Sequence, residues 1–291
     1  MTKVRSTNDL NSAEVADVLA LATAADQADG VYPLSEDGVL GLRGTGHTHL
    51  LSRTDDDSLA GYAYLDGASG ELVVHPRHRL QGHGTALLEA AGPGELTFWA
   101  HGDEPPARAF AEKAGFTRSR VLWQMRRPLA DLPDRPLPEG VALRPFVPGE
   151  DDQAWLGVNS RAFAHHPEQG RWTPDDLRLR FAEPWFDPAG FLLAVDPADD
   201  RLLGFHWTKV QPADGDEPAI GEIYVLGVDP GGHRRGLGAA LSVAGLRHLA
   251  GLGLSDALLY VDESNEAAVA LYRRLGFTTF STDVMYDRPA A

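Results

Sequence analysis

Short apolar runs set the rhythm of the chain. Leu50-Leu51, Gly61-Tyr62-Ala63-Tyr64-Leu65 and Leu72-Val73-Val74 stand between turn-forming residues, which is the pattern of strands. The second half brings it back with Phe191-Leu-Leu-Ala-Val195, Leu202-Leu-Gly-Phe-His-Trp207 and Ile223-Tyr-Val-Leu226. A longer stretch with apolar residues at helical spacing follows each set, Thr85 to Ala91 and Ala239 to Leu252. Strands alternating with helices predict an α/β fold built on a mixed sheet.

The order of motifs recurs as well. One segment reads Val73-Val-His-Pro76-Arg-His-Arg-Leu-Gln-Gly82-His-Gly84, and a later one Gly227-Val-Asp-Pro230-Gly-Gly-His-Arg-Arg-Gly236-Leu-Gly238. A shift of 154 residues sets Pro76 on Pro230 and Gly82 on Gly236. A shift of 161 sets Ala114-Gly115-Phe116 on Leu275-Gly276-Phe277. Matches in the same order at nearly the same spacing imply two copies of one domain. Between them, Pro128, Pro133, Pro136 and Pro138 cannot continue a helix or a central strand. The domains are expected at residues 1–130 and 141–291, joined by a proline-rich linker at 131–140.

Composition narrows the function. The 291 residues carry 26 basic and 42 acidic side chains, a net charge of −16, and no cysteine. Disulfides, thiolate metal sites and a cysteine nucleophile are excluded. So acidic a chain lacks the basic face of a general nucleic-acid binder. The first ten residues have no apolar core, and Leu241 to Val261 is broken by Arg247, His248 and Asp256. The expected setting is therefore the cytoplasm, with no membrane partner. His47 and His49, and the pair His165-His166, have no further ligand at a diagnostic spacing, so no metal is expected.

Both copies run from an apolar strand through Val-x-Pro and a basic loop into a helix that starts at glycines. The loops are Arg79-Leu80-Gln81-Gly82-His83-Gly84 and His233-Arg234-Arg235-Gly236-Leu237-Gly238. Such a loop points successive N–H groups at one spot and adds the positive end of a helix dipole. A pyrophosphate suits it. Each loop taken alone is equally readable as a structural turn. The spacing fits neither a P-loop nor a dinucleotide fingerprint.

Together with Asn265-Glu-Ala-Ala-Val-Ala-Leu271-Tyr272-Arg-Arg-Leu-Gly276-Phe277, this pattern resembles the GNAT family of acetyl-CoA-dependent N-acetyltransferases. The resemblance covers both halves and implies two tandem GNAT (acyl-CoA N-acyltransferase) domains. His233 stands where the family commonly has Gln or Arg, and Ser264 where Asp is common. Neither change removes a backbone amide. Further strings, among them Asp29-Gly30-Val31, His166-Pro-Glu-Gln-Gly170 and Gly204-Phe-His-Trp-Thr-Lys209, resemble a tandem actinobacterial branch of the family. Its members acetylate the cysteinyl amine of a cysteinyl-glucosaminyl-inositol, a small thiol precursor. The resemblance makes acetyl-CoA the co-substrate. Its contacts then fall on Leu72, Val73, Val74, Leu80, Gln81, Gly82, His83, Gly84 and Thr85 in the first copy. In the second they fall on Leu226, Gly227, Val228, His233, Arg234, Arg235, Gly236, Leu237, Gly238 and Ala239, and on Asn265, Glu266, Ala267, Ala268, Val269 and Ala270.

Making an amide from a thioester requires a base for the acceptor ammonium, stabilisation of an oxyanion and an acid for the leaving thiolate. Glu222 stands six residues before Val228, where a carboxylate can take the proton directly or through a water; the plainer reading is a solvent-facing Glu at a strand end. The resemblance makes Glu222 the base, Tyr272 the acid and the Val228 amide the oxyanion donor. As a packing aromatic, Tyr272 would have no such role. Shifted by 161, Tyr272 falls on Ala111 and Asn265 on Glu104; shifted by 154, Glu222 falls on Ala68. Glu71, three residues on, is expected on the opposite face. Catalysis is therefore expected in the second copy, with the first structural or regulatory. Acceptor contacts by resemblance are Glu36, Glu168, Lys209, Glu222 and Tyr260, and five residues on one ligand would imply a pocket between the domains. The chain is expected to act as a monomer. A tandem GNAT enzyme for another amine, such as an aminoglycoside or a peptide N-terminus, and a non-catalytic acetyl-CoA sensor remain as rival readings.

Overall fold

The computed structural model describes residues 3–44, 46–165, 169–213, 217–232 and 236–290. The chain forms two compact units, Met1–Leu122 with Ser281–Ala291, and Trp123–Phe280.

Unit 1 opens with β1 (Val4–Thr7), α1 (Ser12–Asp29) and α2 (Glu36–Gly41). Asn11 starts α1 through a capping box with Glu14, and Gly30 at φ 72° ends it. There follow β2 (Thr48–Arg53), β3 (Leu59–Asp66), β4 (Ser69–Val74), α3 (His83–Ala91), β5 (Leu96–Ala100), α4 (Pro105–Lys113) and the first half of β6 (Thr117–Pro128). Strands β1 to β4 form an antiparallel meander, and β5 joins β4 in parallel. Val18, Leu21, Leu51, Tyr62 and Val73 pack on one side of it, and Leu50, Ala63, Leu65 and Leu87 on the other.

Unit 2 continues with β7 (Ala142–Pro145), α5 (Asp152–Ala162), α6 (Pro174–Phe181), β8 (Phe191–Asp196), β9 (Arg201–Gln211) and β10 (Ile220–Val228). Then come α7 (Leu237–Gly251), β11 (Asp256–Asp262), α8 (Glu266–Arg274) and β12 (Thr278–Arg288). Strands β7 to β10 are antiparallel in order, and β11 lies parallel to β10. One side of this sheet carries an aromatic core of Phe146, Trp155, Phe191, Phe205 and Trp207. The other carries Leu203, Leu237 and Leu241 under α7. No helix among the described residues is long and apolar enough to cross a membrane.

The apolar runs all lie in strands, and both expected helices are present at nearly their expected bounds. The domain boundaries differ from the expectation. Residues 123–140 belong to unit 2, and residues 281–291 to unit 1. The repeat shift of 161 sets β6 on β12, yet β12 is the strand that pairs with β5, from Val284↔Ala100 to Arg288↔Leu96. Val284 and Tyr286 are buried there. The later part of β6 lies beside β11, with Met125 buried in the unit 2 core. Residues 131–138 form neither helix nor strand, but Leu132 packs on that same core. Sequence repeats mark where a motif recurs, and these two strands lodge with the other copy.

Candidate active site

In unit 2 the strand β10 has two unequal edges. It pairs with β9 from Ile220↔Gln211 to Val228↔Gly204, but with β11 only from Gly221↔Ala257 to Ile223↔Leu259. Beyond Ile223 the two parallel strands fork. Asp229 N donates to Leu203 O at 2.9 Å. By the alternation of an antiparallel ladder, the N–H groups of Val228 and Leu226 then point away from β9, into the fork. Further along, α7 starts at Gly236, at φ 86°. Side chains of Asn11, Ser35, Thr173 and Asn265 cap their helices. A glycine cannot, so the first N–H groups of α7 keep their capacity for an anion. These features fit an extended thiol arm in the fork and a pyrophosphate at the helix start.

The register also decides which side chains meet. Lys209, Glu222 and Leu258 form a row across three strands, and Tyr260 shares the face of Leu258. Glu222 is buried, and its Oε2 accepts from Gln211 Nε2 at 2.9 Å. The reading of Glu222 as a solvent-facing strand end does not apply. Lys209 Nζ lies 4.6 Å from the Trp185 ring centroid and 5.2 Å from that of Tyr224. Tyr260 is 42% exposed, and its hydroxyl accepts from Gln124 Nε2 at 2.8 Å. Tyr272 packs edge-on to Phe277 at 5.7 Å, in the cluster that holds Ile223 and Leu259. Burial pushes its hydroxyl up to about 12, which keeps it protonated at neutral pH. Glu36 belongs to unit 1 as the first residue of α2. Glu168 lies outside the described residues.

Unit 1 repeats the frame. Its β4 leaves β5 after Glu71↔Trp99, and His75 N donates to Ala60 O at 2.9 Å. The N–H groups of Val74 and Leu72 therefore face that fork. Gly82, at φ 92°, starts α3 without a side-chain cap. The side chains are not repeated. Counted from the N-caps Glu104 and Asn265, buried Ala111 occupies the place of Tyr272.

The counterpart of Glu222 requires a correction. Both copies pair a strand-end valine with a glycine, Val74↔Gly61 and Val228↔Gly204. Five pairs back stand Ser69↔Asp66 and Glu222↔Lys209, so the counterpart is Ser69, not Ala68. The difference is a bulge at Tyr224, an extra residue that β4 lacks. Glu71 is two residues from Ser69 and hence on the same face, against expectation. Its Oε1 accepts from Ser35 N at 2.9 Å and lies 3.1 Å from His101 Nε2.

Known proteins share this fold and much of this sequence. The GNAT acetyltransferase family model matches residues 159–277. A solved tandem GNAT protein from the clavulanic acid biosynthesis pathway has the same fold, with a TM-score of 0.75 at 21% identity over 99% of each chain. The mycothiol acetyltransferase of Salinispora arenicola is 57% identical over 98% of this chain and 97% of its own. The chain belongs to the mycothiol acetyltransferase family. The mycothiol acetyltransferase of Streptomyces coelicolor is 54% identical over 92% of this chain and 90% of its own.

For a mycothiol acetyltransferase, the residues expected at acetyl-CoA divide by what they can offer. Leu72, Val74, Leu226 and Val228 present backbone N–H groups, and Gly82, Gly84, Thr85, Gly236, Gly238 and Ala239 form the two helix starts. Val73, Leu237 and Val269 bury their side chains within the protein. The buried ring of His83 lies 2.9 Å from Ser52 Oγ, Gln81 Nε2 donates to Arg77 O, and Asn265 caps its own helix. His233, Arg234 and Arg235 lie outside the described residues. Sequence reasoning missed Gln211, Gln124, Arg180 and Tyr224. Gln211 was within reach, because it alternates with Lys209 on one strand. The others needed the bulge and the neighbouring strands. Among the described residues, no group of three or more His, Asp or Glu side chains is arranged to hold a metal.

Proposed function

We propose that this chain transfers the acetyl group of acetyl-CoA to the cysteinyl amine of a cysteinyl-glucosaminyl-inositol, giving mycothiol and CoA, and that unit 2 performs the reaction. The carrying observation is the combination in unit 2 of buried Glu222, two N–H groups facing a strand fork, and buried, protonated Tyr272. Unit 1 has Ser69 and Ala111 at the corresponding places. Near-full-length identity to mycothiol acetyltransferases supports the choice of acceptor.

Acetyl-CoA, when bound, supplies an activated thioester. Val228 N–H donates to its carbonyl oxygen and stabilises charge as it develops, while Leu226 N–H faces the thiol arm. Glu222 takes the proton of the acceptor ammonium, for which a modest base suffices because an α-amine has a pKa of about 8. Tyr272 gives its proton to the departing thiolate. Lys209 and Tyr260, with Glu168, offer a cation, a phenol and a carboxylate to a ligand rich in hydroxyls. The binding frame of unit 1 serves a second acetyl-CoA without turnover. A monomer in the cytoplasm completes the proposal.

Release of CoA, with product mass confirmed, tests it across the cysteinyl acceptor, simple amines and aminoglycosides. The expected result is a strong preference for the cysteinyl acceptor. Glu222→Gln should lower kcat by roughly 10²- to 10⁴-fold, the usual size of a general-base contribution. Acetyl-CoA binding with no turnover of any amine would favour the sensor instead.

A further inference from the structure

Glu222 stands six residues before Val228, and in an unbroken strand an even separation puts both side chains on one face. Val228 packs with Leu203, Leu237 and Leu241 under α7. An unbulged β10 would send Glu222 to that side. The bulge at Tyr224 reverses the alternation and sets Glu222 opposite Lys209, on the face of Trp207.

A bulged residue lies outside the ladder, so its side chain must hold it. Tyr224 is held firmly. Its hydroxyl accepts from Arg180 Nε at 2.6 Å, and its ring meets Trp185 and Trp207 at 4.9 and 5.3 Å. Arg180 is 3% exposed. It lies 3.8 Å over the Trp172 ring and donates from Nη1 to Asp176 O at 3.3 Å within its own helix, α6. A charge placed so deep, with its Nε aimed at one phenol, has a fixed geometry. In unit 1, β3 and β4 pair residue for residue from Gly61↔Val74 to Asp66↔Ser69, without a bulge.

We propose that Arg180 and Tyr224 are positioning residues for acetyl transfer, anchoring the bulge that holds Glu222 on the face it presents to the acceptor amine. This rests on the reading of Glu222 as the base. A misplaced base costs turnover without disturbing the N–H groups beyond the bulge, and its absence matters less where the amine deprotonates unaided.

The test is steady-state kinetics of Tyr224→Phe, which removes one hydroxyl, between pH 6.5 and 9.5. Arg180→Met is the second variant, and thermal melts of both are recorded. The expected result is a kcat about tenfold lower at pH 7, with KM for acetyl-CoA within about twofold of wild type. The deficit should close above the amine pKa of about 8, and that of Glu222→Gln should narrow by about tenfold. An unchanged kcat, or a deficit equally deep at every pH, overturns the proposal. So does a lowered melting temperature as the sole effect. A wild type that acetylates no amine overturns the assigned function and this inference together. An active wild type with unaltered variants overturns the positioning role alone.

Discussion

His206 occupies the place that a side chain on Gly245 would need. A Cβ added to Gly245 would lie 2.1 Å from His206 Cε1, and the imidazole is wholly buried. His206 Nδ1 lies 2.8 Å from Leu241 O, so this nitrogen carries the proton of a neutral ring. Burial pushes the imidazole down to about 4. The unfolded chain binds that proton near pH 6.5, so stability falls as pH drops from about 6.5 toward 4. Urea midpoints across this range should show the loss, and His206→Gln should flatten it. Gly245→Ala should destabilise the protein by roughly 1–3 kcal/mol through overpacking, read as a lower melting temperature. At this scale the sequence was partly legible. Tyr272 is readable because helix, leucine and glycine markers surround it within a few residues. The buried state of Glu71 is not, because its partners Ser35 and His101 stand 36 and 30 positions away.

Elements are held by what crosses between them, as in unit 1. His101 lies between Glu71 of β4, at 3.1 Å from Nε2, and Asp283 of β12, at 3.2 Å from Nδ1. Asp283 also accepts from Gly102 N at 2.9 Å, and Glu71 holds the N-cap of α2 through Ser35 N. Burial by itself would push the imidazole down, but hydrogen bonds to Asp283 and Glu71 win and raise it to about 10. This clasp contributes its full stability below about pH 6.5, and the contribution is lost as pH rises through about 10. His101→Ala strands two buried carboxylates and should cost roughly 3–5 kcal/mol, the scale for one lost partner of a buried ion pair. Urea melts at pH 7 would show it, and the difference from wild type should shrink toward pH 10. Strand alternation and helix spacing revealed most elements of the frame. The bulge left no trace, because one inserted residue changes no composition and the repeat shift absorbs it.

For the molecule as a whole, the repeat disclosed two GNAT domains, and that the first has no counterpart of Glu222 or Tyr272. The placement of β6 and β12 stayed hidden, since two strands of like sequence fit either sheet by pattern alone. That placement is testable. Deleting residues 281–291 removes the partner of Leu96–Ala100 and takes buried Val284 and Tyr286 from unit 1. Amide exchange should accelerate at Leu96–Ala100, while the β10–β11 pairing of unit 2 keeps its protection. Equal loss in both units would contradict this division of the chain. The arrangement also imposes an order on biogenesis. The strand that completes unit 1 leaves the ribosome roughly 160 residues after the body of that unit, a delay of about 10–30 s at ordinary translation rates. Throughout that interval β5 presents an open edge to the cell, so the nascent chain calls for chaperone cover at its first half and finishes folding only when its second half is made.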